Sequence, residues 1–355
     1  MEIGRTFRQY IGVLFAGIAL MSVPVLTQAA QNLSFVEGAP PSVSMADLAV
    51  ATAAKFLDAE GLSVATNFAP NGAVATQLVS VGQSDIGDVT MEPYLTGFEK
   101  GMRGKFIGVR GNLNIYFLAI PADSPIQSMK DLAGKKIGVL NMASQSIPYI
   151  KAMARSAGLD PNADMFLPVG VGDSAMAALR SGQVQALALN RIFYAGLVRG
   201  GASFRYVFGP SFADAGNYGY FVADSTLASK RPALVGFMRA MIKADIFIRE
   251  NPAAALSIYW KQYPSAKPAG SEQDALRLGT LELTFNPTNS AAALRPERVS
   301  APEADALKRL IAAMRAEGMF KADLSVADLV DDSVFKEAQK GVDVAAVRKL
   351  AREWK

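Results

Sequence analysis

Short apolar segments alternate with amphipathic ones from residue 33 to residue 224, and this alternation restricts the fold more than any other feature. Strand patterns occur at LSFVEG (33–38), SDIGDVT (84–90) and VQALALN (184–190), and a helical pattern follows each of them. Strands that alternate with helices indicate parallel sheets with helices on both faces. The sequence therefore predicts an α/β fold.

The alternation falls into two series. The first ends near residue 101 and the second occupies residues 131–201, while extended segments near 117–123 and 215–222 connect the two units. From about residue 226 onward the pattern is mostly helical. The chain is thus predicted to form two α/β units and a helical C-terminal segment.

One helix of that C-terminal segment has a clear apolar face. Leu307, Leu310, Ile311 and Met314 recur at a spacing of three to four residues within 304–318. This spacing places them on one side of a helix, which we expect to pack against a core.

The first 29 residues resemble an export signal. Arg5 and Arg8 precede the apolar run 11–21, which is too short to span a bilayer, and small residues follow it. We predict that residues 1–29 are a signal peptide and that the protein is periplasmic and soluble after cleavage. An uncleaved membrane anchor is the alternative.

The chain contains no cysteine and no histidine, which excludes several kinds of chemistry. It cannot form a disulfide, a Ser-His-Asp triad, a cysteine nucleophile or a zinc site built on these residues. The net charge of +4 is too small to indicate nucleic-acid binding. We therefore expect no catalytic residue, no metal, no cofactor and no nucleic-acid partner.

A weak dinucleotide-type motif, GVGDSA, occupies residues 170–175. The acidic residue that such a motif requires about 20 positions later is missing, because Asn190 and Arg191 lie in that region. Asp173 is instead predicted to cap the helix that follows, with its loop near a ligand.

Polar side chains follow the predicted strands, where open α/β sheets bind their ligands. Ser144, Gln145 and Ser146 precede a helix with Pro148 in its first turn, so free amide groups there form an anion site. Arg191 is the strongest candidate to pair with an acidic ligand and Arg110 a weaker one. The candidate solute-binding residues are Ser42, Asn71, Asp88, Thr90, Ser144, Gln145, Ser146, Asp173, Asn190, Arg191, Tyr194 and Tyr218. The alternative for each polar residue is that it only caps its own helix.

Four stretches resemble the substrate-binding proteins of bacterial ABC importers, within the nitrate/sulfonate/taurine and thiamine-precursor group. They are QLVSVGQSDIGDVTMEPYLTG, ADSPIQSMKDLAGKKIGVLNMASQSIPYIKAMARSAGL, DSAMAALRSGQVQALALN and EGMFKADLSVADLVDDSVFKEA. The loop EGAPPSVS (37–44), which contains Ser42, departs from the group, where an aromatic and several polar residues are common.

The resemblance implies a two-lobed periplasmic-binding-protein fold of type II with two hinge strands. Residues 30–120 and 217–355 would form lobe 1, residues 121–216 would form lobe 2, and a solute would bind between them. The implied partners are a small solute and an inner-membrane ABC permease, with the receptor a monomer.

The predicted function is the capture of a small organic anion, such as a sulfonate or carboxylate, for import. One alternative is a neutral or aromatic solute, such as a pyrimidine precursor, stacked on Tyr194 and Tyr218. Another is a ligand sensor that serves a receptor instead of a permease. The eukaryotic thiamine-precursor synthases share this fold and provide an enzyme alternative, but their chemistry depends on a histidine that this chain lacks.

Overall fold

The computed structural model describes residues 30–39, 41–110, 114–209, 215, 217–283, 299–301 and 303–355. The predicted signal peptide, residues 1–29, lies outside the described residues. Within those residues, no helix combines the length and the apolar character needed to cross a membrane.

The first sheet has five strands in the order β2-β1-β3-β10-β4. Its strands are β1 (Gln31–Glu37), β2 (Leu62–Phe68), β3 (Ile86–Thr90), β4 (Gly104–Val109) and β10 (Tyr218–Ala223). β1 pairs in parallel with β2 and β3, whereas β10 runs antiparallel between β3 and β4. The late strand β10 thus returns the chain to the sheet that the first four strands built.

The second sheet also has five strands, in the order β7-β6-β8-β5-β9. Its strands are β5 (Tyr116–Pro121), β6 (Ile137–Val139), β7 (Phe166–Pro168), β8 (Ala186–Asn190) and β9 (Phe204–Val207). β5 pairs with β8 and β9 in this sheet, so the chain leaves the first unit before Tyr116 rather than at residue 120.

The described residues also form fourteen α-helices and several short 3-10 helices. They are α1 (Ala46–Ala53), α2 (Phe56–Ala59), α3 (Gly72–Ser80), α4 (Glu92–Phe98), α5 (Ser146–Ser156), α6 (Asp173–Arg180), α7 (Arg191–Arg199), α8 (Asp224–Glu250), α9 (Pro252–Gln262), α10 (Glu272–Leu283), α11 (Ala304–Ala316), α12 (Val326–Leu329), α13 (Asp332–Lys340) and α14 (Val344–Glu353). The pattern SMADLAVATAAKFLDAEG (44–61) predicts a single helix. This prediction is wrong, because Lys55 adopts a left-handed conformation (φ 61°) between α1 and α2.

We call the first sheet with its helices α1–α4, α8, α9, α13 and α14 lobe 1, and the second sheet with α5–α7 lobe 2. One face of the lobe 1 sheet packs on α1, α8 and α9 around Phe35, Phe237 and Phe247. The predicted apolar face of α11 is confirmed: Leu310 and Met314 are fully buried in a core that continues into lobe 2.

Helix α10 contacts α7 of lobe 2 and α9 of lobe 1, and helix α11 contacts α5 of lobe 2 and α12, which packs on β4 of lobe 1. Arg199 of α7 forms an ion pair with Glu282 of α10 at 2.8 Å. Arg155 of α5 pairs with Glu317, just after α11. The lobes are therefore connected by the two chain crossings and by these helices.

Candidate functional site

The carboxyl ends of β3 and β8 meet at the two chain crossings. The Met91 amide, just after β3, donates to the Asn217 carbonyl on the return crossing at 2.9 Å. The Arg191 amide, just after β8, donates to the Ile115 carbonyl on the outgoing crossing at 3.0 Å. Strand ends from both lobes therefore lie against the same hinge, which is where a ligand between lobes would contact them.

The loop before α5 presents polar groups at this edge of lobe 2. Ser146 is buried, and its hydroxyl donates to the Ala188 carbonyl of β8 at 2.7 Å. Ser144 lies 2.8 Å from it, hydroxyl to hydroxyl. Ser146 thus fixes the loop, while Ser144 and Gln145 are only half-buried and remain available at the surface.

Two asparagines predicted as solute contacts cap helices. The Asn71 side-chain oxygen accepts from the Val74 amide at 3.0 Å and caps α3. The Asn190 side-chain oxygen accepts from the Ile192 amide at 3.0 Å and caps α7. Both residues therefore cap helices, and their contact with a solute stays a prediction.

Two other predicted contacts lie elsewhere. Tyr194 is fully buried, and its hydroxyl accepts from the Leu189 amide at 2.7 Å inside lobe 2, so it cannot stack on a solute in the cleft. Asp173 is exposed and begins α6, but the N-cap is Gly172 and no side chain caps that helix. The predicted capping role of Asp173 is wrong, and its strand β7 is the edge strand of the sheet.

A buried ionic cluster lies beneath the carboxyl edge of lobe 1. The Arg110 guanidinium contacts both carboxylate oxygens of Asp47 at 2.7 Å, and it pairs with Asp88 and donates to the Ser44 carbonyl. The Ser42 hydroxyl lies 2.7 Å from that of Ser44. Arg110 and Asp88 therefore neutralise each other. Neither side chain offers a solute the open contact that the sequence predicted.

Glu37 adds a third carboxylate to this cluster. Its Oε1 accepts from the Tyr218 hydroxyl at 3.1 Å, and the Tyr218 ring lies 5.6 Å from the Arg110 guanidinium. Burial, together with the nearby charge of Asp88, raises the pKa of Glu37 well above its ordinary value. Burial also raises the pKa of Asp88, against the attraction of Arg110. Three carboxyl groups thus share one guanidinium.

A fourth buried carboxyl group, Glu92, lies at the hinge, apart from the Arg110 cluster. Its Oε1 accepts from the Tyr149 hydroxyl of lobe 2 and from the Asn217 side-chain amide at 2.7 Å. The Asn217 side-chain oxygen accepts from the Ile115 amide at 3.0 Å. Burial raises the pKa of Glu92. These bonds connect lobe 1, lobe 2 and both chain crossings.

Thr90, Ser144, Gln145, Arg191 and Tyr218 are predicted contacts that lie half-buried at the strand ends. A groove of about 640 Å³ runs along α3 and α4 to the start of α8, and Gln145 is the one described residue of lobe 2 that lines it. Thr90, Ser144, Arg191 and Tyr218 do not line this groove.

The sequence reasoning missed Glu37, Asp47, Glu92, Tyr149 and Asn217. Glu37 ends an apolar strand and Asp47 lies in an apolar helix start. Carboxylates are rarely buried without a partner. An acidic residue within an apolar segment, such as Glu37 or Asp47, therefore indicated a buried carboxylate with a cationic partner. The sequence alone could not show that this partner is Arg110.

A family model described as NMT1/THI5 like matches residues 42–255, more than half of the chain. No curated protein matches the sequence. Among solved structures, the aliphatic sulphonate-binding protein SsuA from Escherichia coli is similar at 16% identity and a TM-score of 0.63, over 84% of this chain and 92% of that one.

The nitrate-binding protein NrtA from Synechocystis PCC 6803 is similar at 12% identity and a TM-score of 0.63, over 90% and 91% of the two chains. A DszB cysteine-to-serine variant, in complex with biphenyl-2-sulfinic acid, is similar at 16% identity and a TM-score of 0.54, over 88% and 99%. These similarities confirm the predicted two-lobed α/β fold of the type II periplasmic binding proteins.

Proposed function

The chain belongs to the NMT1/THI5-like family, and from this membership and its fold we propose that it is the solute-binding component of an ABC importer. It captures a small solute between its lobes and does not transform it. The observation that carries the proposal is the convergence of strand ends from both lobes on the two chain crossings. A solute that touches both lobes favours their closure, because it stabilises only the closed arrangement.

The proposed solute has an anionic group that faces lobe 2. Ser144 and Gln145 precede α5, and Arg191 begins α7 beside the hinge. The first amides of α5 are not free, because the Ser146 amide donates to the Ser144 hydroxyl, the Ile147 amide donates to the Ser144 carbonyl, and Pro148 has no amide hydrogen. The predicted site of free amides is therefore wrong, and the proposal depends on side chains, among which a guanidinium favours sulfonate or carboxylate oxygens. The similar structures named for sulphonate and nitrate are in keeping with this class.

We further propose that the protein acts in the periplasm as a monomer and delivers the solute to a permease. The lobe surfaces that flank the cleft change their relative position on closure, which gives a permease a means to recognise the loaded receptor. A genomic neighbourhood with a permease and an ATPase would support transport over the sensor alternative.

The test is a thermal-shift screen of the purified protein against sulfonates, carboxylates, nitrate, pyrimidines and aromatic acids. A solute at 100 times its dissociation constant stabilises the folded state by about 2.7 kcal/mol, which raises the melting temperature. We expect one class to do so and the bound compound to be recovered unchanged. No shift with any class, or turnover of the bound compound, would contradict the proposal.

Arg191→Ala tests the anionic group directly. We expect the variant to lose at least about tenfold in affinity for the solute found in the screen, since a charge-assisted hydrogen bond contributes about 1.5–3 kcal/mol. Arg180→Ala is the matched control, because Arg180 ends α6 in the same lobe and is exposed. Unchanged affinity in Arg191→Ala would remove the anion model at that position.

A further inference from the structure

Helix α10 is fixed on lobe 1. It packs against α9 and against the short turn Val43–Met45 that precedes α1. Gly279 lies directly on the Trp260 ring of α9, since a Cβ atom at this glycine would come within 2.5 Å of the ring. Ala275 and Leu283 are buried in the core of lobe 1. Because glycine allows this close approach of two helices, we expect α10 to move with lobe 1.

The same helix reaches lobe 2 beside the cleft. The Glu282 carboxylate of α10 pairs with the Arg199 guanidinium of α7 at 2.8 Å, and the two side chains are 17% and 35% exposed. Burial, together with the nearby charges of Glu282 and Glu37, raises the pKa of Tyr259. Glu282 is therefore close to the point where β1 ends at Glu37, which is the carboxyl edge of the lobe 1 sheet.

This ion pair is remote from the hinge. Helix α7 begins at Arg191, whose amide donates to the Ile115 carbonyl on the outgoing chain crossing at 3.0 Å. Arg199 ends the same helix, which places it about 12 Å further along the helix axis. A rotation about the chain crossings therefore moves Arg199 more than Arg191. With Glu282 held on lobe 1, the ion pair breaks when the lobes rotate apart.

The other contact between lobe 2 and the C-terminal helices is apolar. Leu310 and Met314 of α11 share a core with Ile150 and Met153 of α5, and all four side chains are at most 3% exposed. Separation of α5 from α11 would transfer these side chains to water, at a cost that grows with the apolar area exposed. The ion pair between Arg155 and Glu317 lies on this same side.

The two sides therefore differ in what opening would cost. Arg199 and Glu282 are already partly hydrated, and water solvates both charges when they separate, so a pair of this kind contributes little. The α11 side would lose buried apolar contacts that water does not replace. Opening of the lobes is consequently less costly on the α10 side.

We propose that the Arg199–Glu282 ion pair is a latch beside the cleft, which forms when the lobes approach and breaks when they open, while α5 and α11 stay joined. The inference rests on the proposed function, because a receptor of this kind opens to admit its solute. The latch forms together with closure, so it adds to solute affinity without contact to the solute. Arg199 and Glu282 are thus positioning residues.

The experiment compares the two ion pairs that join lobe 2 to the C-terminal helices. Arg199→Glu places a second acid opposite Glu282, and its combination with Glu282→Arg restores the pair with the charges exchanged. Arg155→Glu is the matched control, because it places an acid opposite Glu317 on the α11 side. Small-angle X-ray scattering of the purified protein without solute gives the radius of gyration, which rises when the lobes open.

We expect Arg199→Glu to have a larger radius of gyration than the wild type, and the exchanged pair to return to the wild-type value. Arg155→Glu should keep the wild-type radius. With the solute found in the thermal-shift screen, Arg199→Glu should bind about fivefold more weakly, and the exchanged pair should bind as the wild type does. If a charge reversal prevents folding, Arg199→Gln and Arg155→Gln provide the same comparison with a smaller effect.

The outcomes separate the two proposals. An unchanged radius in Arg199→Glu, or an expansion that the exchanged pair does not correct, would overturn the latch. Expansion in Arg155→Glu would also overturn it, because the lobes would then separate on the α11 side. All of these results leave solute capture standing. A negative thermal-shift screen contradicts solute capture instead, and the radius of gyration still decides whether the ion pair holds the lobes together.

Discussion

Arg110→Met tests whether the lobe 1 cluster is a buried ionic network or a set of weak surface pairs. The Arg110 side chain is 7% exposed and contacts Asp47 and Asp88, which are buried as well. Its removal leaves two carboxylates without their cation and the Ser44 carbonyl without a donor. Breaking a buried ion pair on one side costs about 3–5 kcal/mol, and typical proteins have only about 5–15 kcal/mol of stability.

Tryptophan fluorescence gives a local readout of this loss. Both tryptophans of the chain, Trp260 and Trp354, pack on the lobe 1 core, and the Trp354 ring lies 5.3 Å from that of Phe247. Urea unfolding followed by their emission therefore reports the lobe that contains Arg110. We expect the variant to lose at least about 3 kcal/mol of unfolding free energy in this transition.

The matched control is Arg231→Met. Arg231 also pairs with two carboxylates, Asp331 at 3.5 Å and Glu337 at 3.4 Å, but its side chain is 38% exposed. Exposed pairs contribute about 0–1 kcal/mol, so this variant should remain close to the wild type. Adding Asp47→Asn to Arg110→Met should restore part of the lost stability. A loss in Arg110→Met no larger than that of the control would refute the buried-network reasoning.

Three further results are expected. Burial raises the pKa of Glu37 above the ordinary 4.5, so the folded state holds its proton longer than the unfolded state and loses stability as pH rises from about 4.5 through the raised pKa. Glu37→Gln lacks this loss, and thermal melts without solute should show its relative stability increasing with pH; a flat difference would oppose this. Tyr149→Phe removes the hydroxyl bound to Glu92 and should cost about 1–3 kcal/mol in urea unfolding. Asn71→Ala removes the cap on the Val74 amide and should cost about 1 kcal/mol while solute affinity stays unchanged; lower affinity at wild-type stability would contradict its capping role.

The sequence predicted the alternation of strands and helices well because its apolar periodicity reports burial directly. It missed β9, whose four residues are all half-buried and show no clear alternation. It also merged α1 and α2, because the left-handed backbone at Lys55 has no marker such as glycine. Local patterns thus recovered the elements but not the breaks that tertiary contacts impose.

Side-chain direction was the harder part of the site. The sequence could not show which face of α7 packs inward, and in the structure Tyr194 lies on the face that packs into the core of lobe 2. Asp88 was expected to face a solute, but its partner is Arg110. Asp88 lies on β3 and Arg110 follows β4, and these two strands are separated in the sheet by β10. Pairings between strands that are distant in sequence cannot be derived from one chain without its topology.

Under the proposed function, closure depends on contacts from both lobes. Ser144, Gln145 and Arg191 lie at the strand ends of lobe 2, and Thr90 and Tyr218 lie at those of lobe 1. A ligand shifts the lobes only through its difference in affinity for the open and closed states. A compound that contacts one lobe alone binds both states equally, so it would occupy the site without closing it. Closure therefore selects for a solute that reaches the polar side chains of both lobes at once, and this requirement adds to the selectivity of binding.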